Sequence, residues 1–74
     1  SPHEERIYDV VWIDIQTPNG QFVIQPGHAP DIFILSPHKE VSFGLKSGKL
    51  DAVLVRRGVL EVMRHHATLV MAGE

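Results

Sequence analysis

Gln25-Pro26-Gly27-His28-Ala29-Pro30 places two prolines and one glycine within six residues, between two short apolar runs. Proline lacks a backbone donor and fixes φ, so neither a helix nor a central strand continues through this stretch. Gly27 can adopt a positive φ because it has no Cβ atom to clash. The sequence therefore predicts an ordered loop or a sharp corner, with His28 accessible between two small neighbours.

The segment before this loop has the pattern of a β-hairpin. In residues 8–16, apolar side chains alternate with polar or aromatic ones, which predicts a strand with one buried face. Thr17-Pro18-Asn19-Gly20 suits a type I turn, so residues 21–24 are expected to return as the second arm. The pattern leaves open whether Trp12 lies in the core or at the surface.

Further short apolar runs follow the loop, and turn-forming residues separate them. The runs are residues 31–35, 40–45, 50–55, 59–63 and 67–71. For the first of them a single helical turn is open as an alternative to a strand. Six or seven short strands with turns about every 8–12 residues indicate an antiparallel sandwich or barrel, and not alternating strands and helices.

Length and composition limit the classes of function. The chain has 74 residues, 43% of them apolar, which is enough for one small domain near the lower limit of independent folding. A net charge of −2 without a lysine or arginine run argues against nucleic-acid binding. The absence of cysteine excludes disulfides and thiol catalysis. No apolar run approaches the ~18 residues of a membrane span, so we expect no direct membrane insertion.

Histidine offers the most specific chemical hypotheses, namely a metal site or a general base. Metal centres need three or four converging ligands, and nothing near the adjacent pair His65 and His66 supplies the others. His28 could act as a base beside Asp31, but no nucleophile pattern or phosphate-binding glycine run accompanies it. We therefore predict no catalytic residue, no metal and no cofactor.

Three strings occur in a defined order along the chain: Thr17-Pro18-Asn19-Gly20-Gln21-Phe22-Val23-Ile24-Gln25-Pro26-Gly27-His28-Ala29-Pro30, then Leu35-Ser36-Pro37, then Gly58-Val59-Leu60-Glu61-Val62. Together they resemble the N-terminal domain of the epsilon subunit of F-type ATP synthase, which is called delta in mitochondria. The resemblance covers about residues 11–74. It implies a small antiparallel β-sandwich of short strands, a non-catalytic member of the central stalk that binds the gamma subunit and the polar loops of the c-ring during proton-driven ATP synthesis.

The resemblance also implies where the partners bind. The hairpin end near Gln21 would face the ring, and the loop around His28 would lie close to the stalk. The partner-binding residues are then Gln21, Phe22, Pro26, Gly27, His28, Ala29 and Pro30. The expected location is cytoplasmic, peripheral to the inner membrane through these partners. The alternative is an orphan interaction module that retained the sandwich outside a synthase.

The two ends of the chain differ from the family pattern. Residues 1–7 are expected to form a loose N-terminus and residues 8–74 the sandwich, because the first ten residues are too short and polar to supply the family's first strand. The family's C-terminal helical hairpin is expected to be missing, so its nucleotide binding is not assigned. A missing first strand would leave an open edge at Tyr8, Val10 and Trp12, which predicts a homodimer through that edge.

Overall fold

The computed structural model describes residues 3–8 and 10–72, and these residues form eight β-strands and no helix. The strands are β1 (His3–Tyr8), β2 (Val10–Thr17), β3 (Gly20–Ile24), β4 (Asp31–Ile34), β5 (Lys39–Leu45), β6 (Leu50–Val55), β7 (Gly58–Val62) and β8 (Ala67–Ala72). The all-β prediction is confirmed, and the segment for which a helical turn was open is strand β4.

The strands pair into two antiparallel sheets of four strands each. The first sheet has the order β1-β8-β7-β4 and the second has the order β3-β2-β5-β6. Buried side chains from both sheets form one hydrophobic cluster, so the sheets pack face to face as a sandwich. The outer strands are β1 and β4 in the first sheet and β3 and β6 in the second.

Alternation along each strand decides which side chains enter the core. Among the described side chains, the buried apolar ones are Ile13 and Ile15 in β2 and Val41 and Phe43 in β5. The other strands and the β4–β5 loop add Ile24, Leu35, Val55, Leu60, Val62, Ala67, Leu69 and Met71. Phe43 is 1% exposed and is the largest of the fully buried side chains, so it is the central packing residue of the sandwich.

The predicted hairpin joins β2 to β3. Thr17 pairs with Gly20, whose φ is +123°. The Thr17 hydroxyl accepts a hydrogen bond from the Asn19 amide at 3.1 Å and donates one to the Gly20 carbonyl oxygen at 2.9 Å. Local turn chemistry therefore sets the register of β3, as the sequence indicated.

Trp12 lies neither in the core nor fully in solvent. It pairs with Gly44 of β5, next to a register shift between Val10 and Trp12. A Cβ atom built on Gly44 would come within 2.4 Å of Trp12 Nε1, so the indole lies directly over the glycine. This contact leaves Trp12 half-buried on the outer face of the second sheet, the face turned away from the first sheet.

Strand β1 contradicts the expected loose N-terminus. It pairs with β8 from His3 opposite Ala72 to Tyr8 opposite Ala67. A polar sequence can form this strand because β1 lies at the edge of its sheet, where main-chain bonds to β8 supply the pairing and charged side chains reach solvent. The prediction of a loose terminus was therefore wrong for residues 3–7, and the structure has eight strands where six or seven were predicted. Ser1 and Pro2 lie outside the described residues.

The same finding changes the predicted homodimer edge. Strand β2 lies inside its sheet, between β3 and β5, and Val10 and Trp12 are paired with β5. Tyr8 belongs to β1 and pairs with β8. Strand β2 is therefore not an edge strand, and the open edge from which the homodimer was predicted does not exist there.

Candidate partner-binding surface

Strand β3, the loop of residues 25–30 and strand β4 form one side of the sandwich. Strand β3 is an outer strand of the second sheet, and β4 is an outer strand of the first. The ring centroids of Phe22 in β3 and Phe33 in β4 lie 5.7 Å apart, so the two outer strands are neighbours across the gap between the sheets. The loop that carries the predicted site closes this side.

The loop begins with a tight turn. The His28 amide donates a hydrogen bond to the Gln25 carbonyl oxygen at 3.3 Å, and Gly27 has φ of +80°. Proline in the second position and a positive φ in the third are the features of a type II turn. The predicted conformational role of Gly27 is thus confirmed, and the backbone here is preset by its own residues.

The imidazole of His28 is held in place from two sides. Its ring packs edge-on against Phe33, with centroids 6.1 Å apart. Its Nδ1 lies 2.6 Å from the Ala29 carbonyl oxygen. Because a carbonyl oxygen only accepts, Nδ1 carries the proton in this contact and Nε2 is left for another interaction. Half-buried His28 therefore presents one defined nitrogen at the surface.

Gln21 lies apart from this aromatic contact. Its side-chain amide donates to both carboxylate oxygens of Asp14, at 2.8 and 2.9 Å, on the outer face of the second sheet. Phe22, the next residue, points to the opposite side, toward Phe33. The structure thus joins Phe22 and His28 through Phe33, but it places Gln21 at the other end of β3, beside the hairpin turn.

The remaining predicted loop residues, Pro26, Gly27, Ala29 and Pro30, are exposed. Sequence reasoning did not include three residues of this side: Phe33, which supports His28, and Ile32 and Ile34, which are 62% and 69% exposed. The run from Asp31 to Leu35 is almost uniformly apolar, so alternation could not tell which side chains face out. We name Phe22 and His28, together with Ile32 and Ile34 on the outward-facing side of β4, the β3–β4 surface.

The described residues bring together no group of three or more histidine, aspartate or glutamate side chains that could hold a metal ion. The Asp31 carboxylate accepts the Ile32 amide at 2.8 Å, and the His28 ring contacts Ala29, so the considered His28 and Asp31 pair is not formed. No helix in the described part of the chain has the length and apolarity needed to cross a membrane.

The model of the family described as the β-sandwich domain of the ATP synthase delta/epsilon chain matches residues 4–73. The chain belongs to this family. The match begins within β1 and extends past β8, so all eight strands of this delta/epsilon domain lie at least partly within it. A search among curated proteins found no match. The resemblance of the three strings is thereby confirmed.

In the delta/epsilon domain we expect Phe33→Ala to release His28. The substitution removes the ring that contacts both Phe22 and His28, and it costs about 2 kcal/mol because Phe33 is only partly buried. The imidazole NMR signals of His28 are expected to move to the positions of a solvated histidine. Phe22→Ala is the control, since it removes only the other neighbour of Phe33. Unchanged His28 signals in Phe33→Ala would show that the loop holds the ring alone.

Proposed function

We propose that this domain is a non-catalytic rotor component of an F-type ATP synthase, which couples the gamma subunit to the c-ring in proton-driven ATP synthesis. The observation that carries the proposal is the family match over residues 4–73, nearly the whole chain. The delta/epsilon chain is a non-catalytic subunit of its complex. The domain's part is therefore mechanical, and its surfaces have to bind partners firmly.

The β3–β4 surface is the proposed contact with the gamma subunit. Ile32 and Ile34 offer exposed apolar area, which is unusual on a surface that stays in water. The preset turn at Gly27 and the fixed ring of His28 lose little conformational freedom on binding. A partner that covers this side gains apolar burial around one oriented imidazole nitrogen.

The polar end of the hairpin is the proposed contact with the c-ring. The turn of residues 17–20 is exposed or half-exposed, and Gln21 is tied to Asp14 beside it. This end carries hydroxyl, amide and carboxylate groups in fixed positions, which suits the polar loops expected of the ring. Through these two partners the domain would be peripheral to the inner membrane, on its cytoplasmic side.

We expect His28→Ala to weaken binding of the gamma subunit of the same synthase about tenfold, the loss typical of a well-placed interface residue. Gln21→Arg is expected to weaken assembly with the gamma and c-ring subcomplex, because a charged guanidinium replaces the neutral amide. Asp14 can still pair with the new side chain, so the hairpin itself is expected to keep its structure. Neither change removes a core contact, so the melting temperature is expected to stay near that of the unchanged chain. Titration calorimetry with purified gamma, and co-purification with the subcomplex, measure the two effects.

Leu54→Ser is the control, because Leu54 is 62% exposed but lies on β6, at the far edge of the sheet that contains β3. It is expected to bind gamma normally. If both test variants unfold, the loop and the hairpin have a structural role. If both variants bind normally, the partners contact other parts of the domain. If the unchanged domain does not bind gamma at all, the orphan interaction module is the better description.

A further inference from the structure

Strand β6 presents an apolar edge to solvent. Among the described residues it pairs with β5 alone and is an outer strand, and it contains neither lysine nor proline. Leu50 is 76% exposed and Leu54 is 62% exposed, with exposed Ala52 between them on the same face. A flat apolar edge of this kind is a template for pairing with another strand.

The hydrogen-bond pattern between β5 and β6 shows which backbone groups of β6 point away from β5, toward solvent. The Leu45 amide donates to the Lys49 carbonyl oxygen at 2.8 Å, which makes the pair just before β6 a hydrogen-bonded one. Bonded and non-bonded pairs alternate in an antiparallel ladder. Ala52, opposite Ser42, is therefore in a non-bonded pair, and its N–H and C=O groups face away from β5. The same holds for its neighbours at i−2 and i+2, Leu50 and Leu54.

The outward donor in the middle of this edge is already occupied. The Asp51 carboxylate accepts the Ala52 N–H at 2.8 Å. The outer strand β4 repeats the arrangement. The Leu35 amide donates to the Gly58 carbonyl oxygen at 3.1 Å, so by alternation Ile32, three residues earlier, is in a non-bonded pair. The Asp31 carboxylate accepts the Ile32 N–H at 2.8 Å. An aspartate thus satisfies an outward amide on two separate open edges of the sandwich.

The sequence of β6 is complementary to itself. If two copies paired antiparallel about a two-fold axis at Ala52, each Leu50 would lie opposite Leu54 of the other copy, and the outward groups of both strands would match. The bonds between the two Ala52 residues lie at the centre of that pairing. They require the N–H group that Asp51 holds.

We propose that Asp51 keeps β6 from pairing with a second copy of this chain. By accepting the Ala52 amide, its carboxylate closes the centre of a self-complementary apolar edge and places a charge beside it. The domain then stays monomeric although Leu50 and Leu54 are exposed. This inference concerns the opposite edge of the second sheet from β3, and it does not depend on the proposed gamma contact.

Sedimentation velocity across the micromolar range tests the proposal. The unchanged chain is expected to be a monomer throughout, and Asp51→Ala is expected to become a dimer or larger species as the concentration rises. Asp51→Asn keeps an oxygen acceptor of the same geometry and is expected to stay monomeric. Asp31→Ala is the matched control: it opens β4, but that strand is short and follows Pro30, which has no N–H, so no association is expected.

Asp51→Ala combined with Ala52→Pro identifies the edge that associates. Proline removes the central outward donor without removing a bond to β5, because the Ala52 amide does not take part in that ladder. The double variant is expected to return to monomer. If Asp51→Ala loses its circular-dichroism signal, Asp51→Val makes the same test with a better strand former. A folded monomer at every concentration, a dimer that persists with Ala52→Pro, or self-association of the unchanged chain would each overturn the proposal.

Discussion

Phe43→Ala is expected to remove most of the free energy of unfolding of the domain at room temperature. Phe43 is 1% exposed and lies on the inner face of β5, opposite Ile13 of β2. Truncating such a side chain to alanine costs about 3–5 kcal/mol, from lost burial and from the cavity that remains. A domain of this length has a free energy of unfolding of only about 5 kcal/mol. One substitution therefore removes most of the stability.

Circular dichroism and Trp12 fluorescence follow this loss, since Trp12 lies on β2, the strand that packs beside Phe43. Phe22→Ala is the control, because it truncates the same side chain where it is 40% exposed, and we expect it to cost about 1 kcal/mol. A cooperative unfolding transition near that of the unchanged chain in Phe43→Ala would mean that the two sheets do not depend on this ring.

Gly58→Ala is expected to destabilise the domain by about 2–3 kcal/mol through overpacking. A Cβ atom on Gly58 would lie 2.5 Å from the Val70 carbonyl oxygen and 3.1 Å from Val55 Cγ1. Because the nearest atom belongs to the main chain of β8, no side-chain rotation relieves the clash, and β7 or β8 has to shift. The Gly58 carbonyl oxygen also accepts the Leu35 amide at 3.1 Å, so the shift reaches the end of β4.

Urea unfolding measures this change in stability, provided that the free energy of unfolding falls with urea concentration at the same slope in both proteins. Arg57→Ala is the control at the adjacent exposed position, and we expect it to stay within about 0.5 kcal/mol. A second readout is gamma binding, which Gly58→Ala is expected to weaken through Ile34, the neighbour of Leu35 in β4. Unchanged stability in Gly58→Ala would show that the two strands can separate locally at no cost.

Features that depend on a few adjacent residues could be predicted from the sequence. Proline and glycine decide backbone angles by themselves, so the turn of residues 17–20 and the loop of residues 25–30 follow from their own chemistry. The strands β2 to β8 follow from short apolar runs between such turns. The family follows from the order of three strings, which the match over residues 4–73 confirms.

Other features depend on residues far apart in the chain. Strand β1 is polar, and it becomes a strand because its main chain bonds to β8, more than fifty residues away. Sequence alternation cannot report such pairing, because an edge strand has little apolar surface to bury. For the same reason the open edge was assigned to β2, which the tertiary structure places between two neighbours.

The residues of the candidate surface also differ in whether the sequence or the tertiary structure decides their arrangement. The sequence by itself determined the conformation of the turn at Gly27. Only the tertiary structure placed Phe33 between Phe22 and His28, turned Ile32 and Ile34 outward, and tied Gln21 to Asp14. The Phe22–Phe33 contact joins the two sheets, so it exists only once they have packed face to face. The contact of Gln21 with Asp14 exists only once β3 has paired with β2.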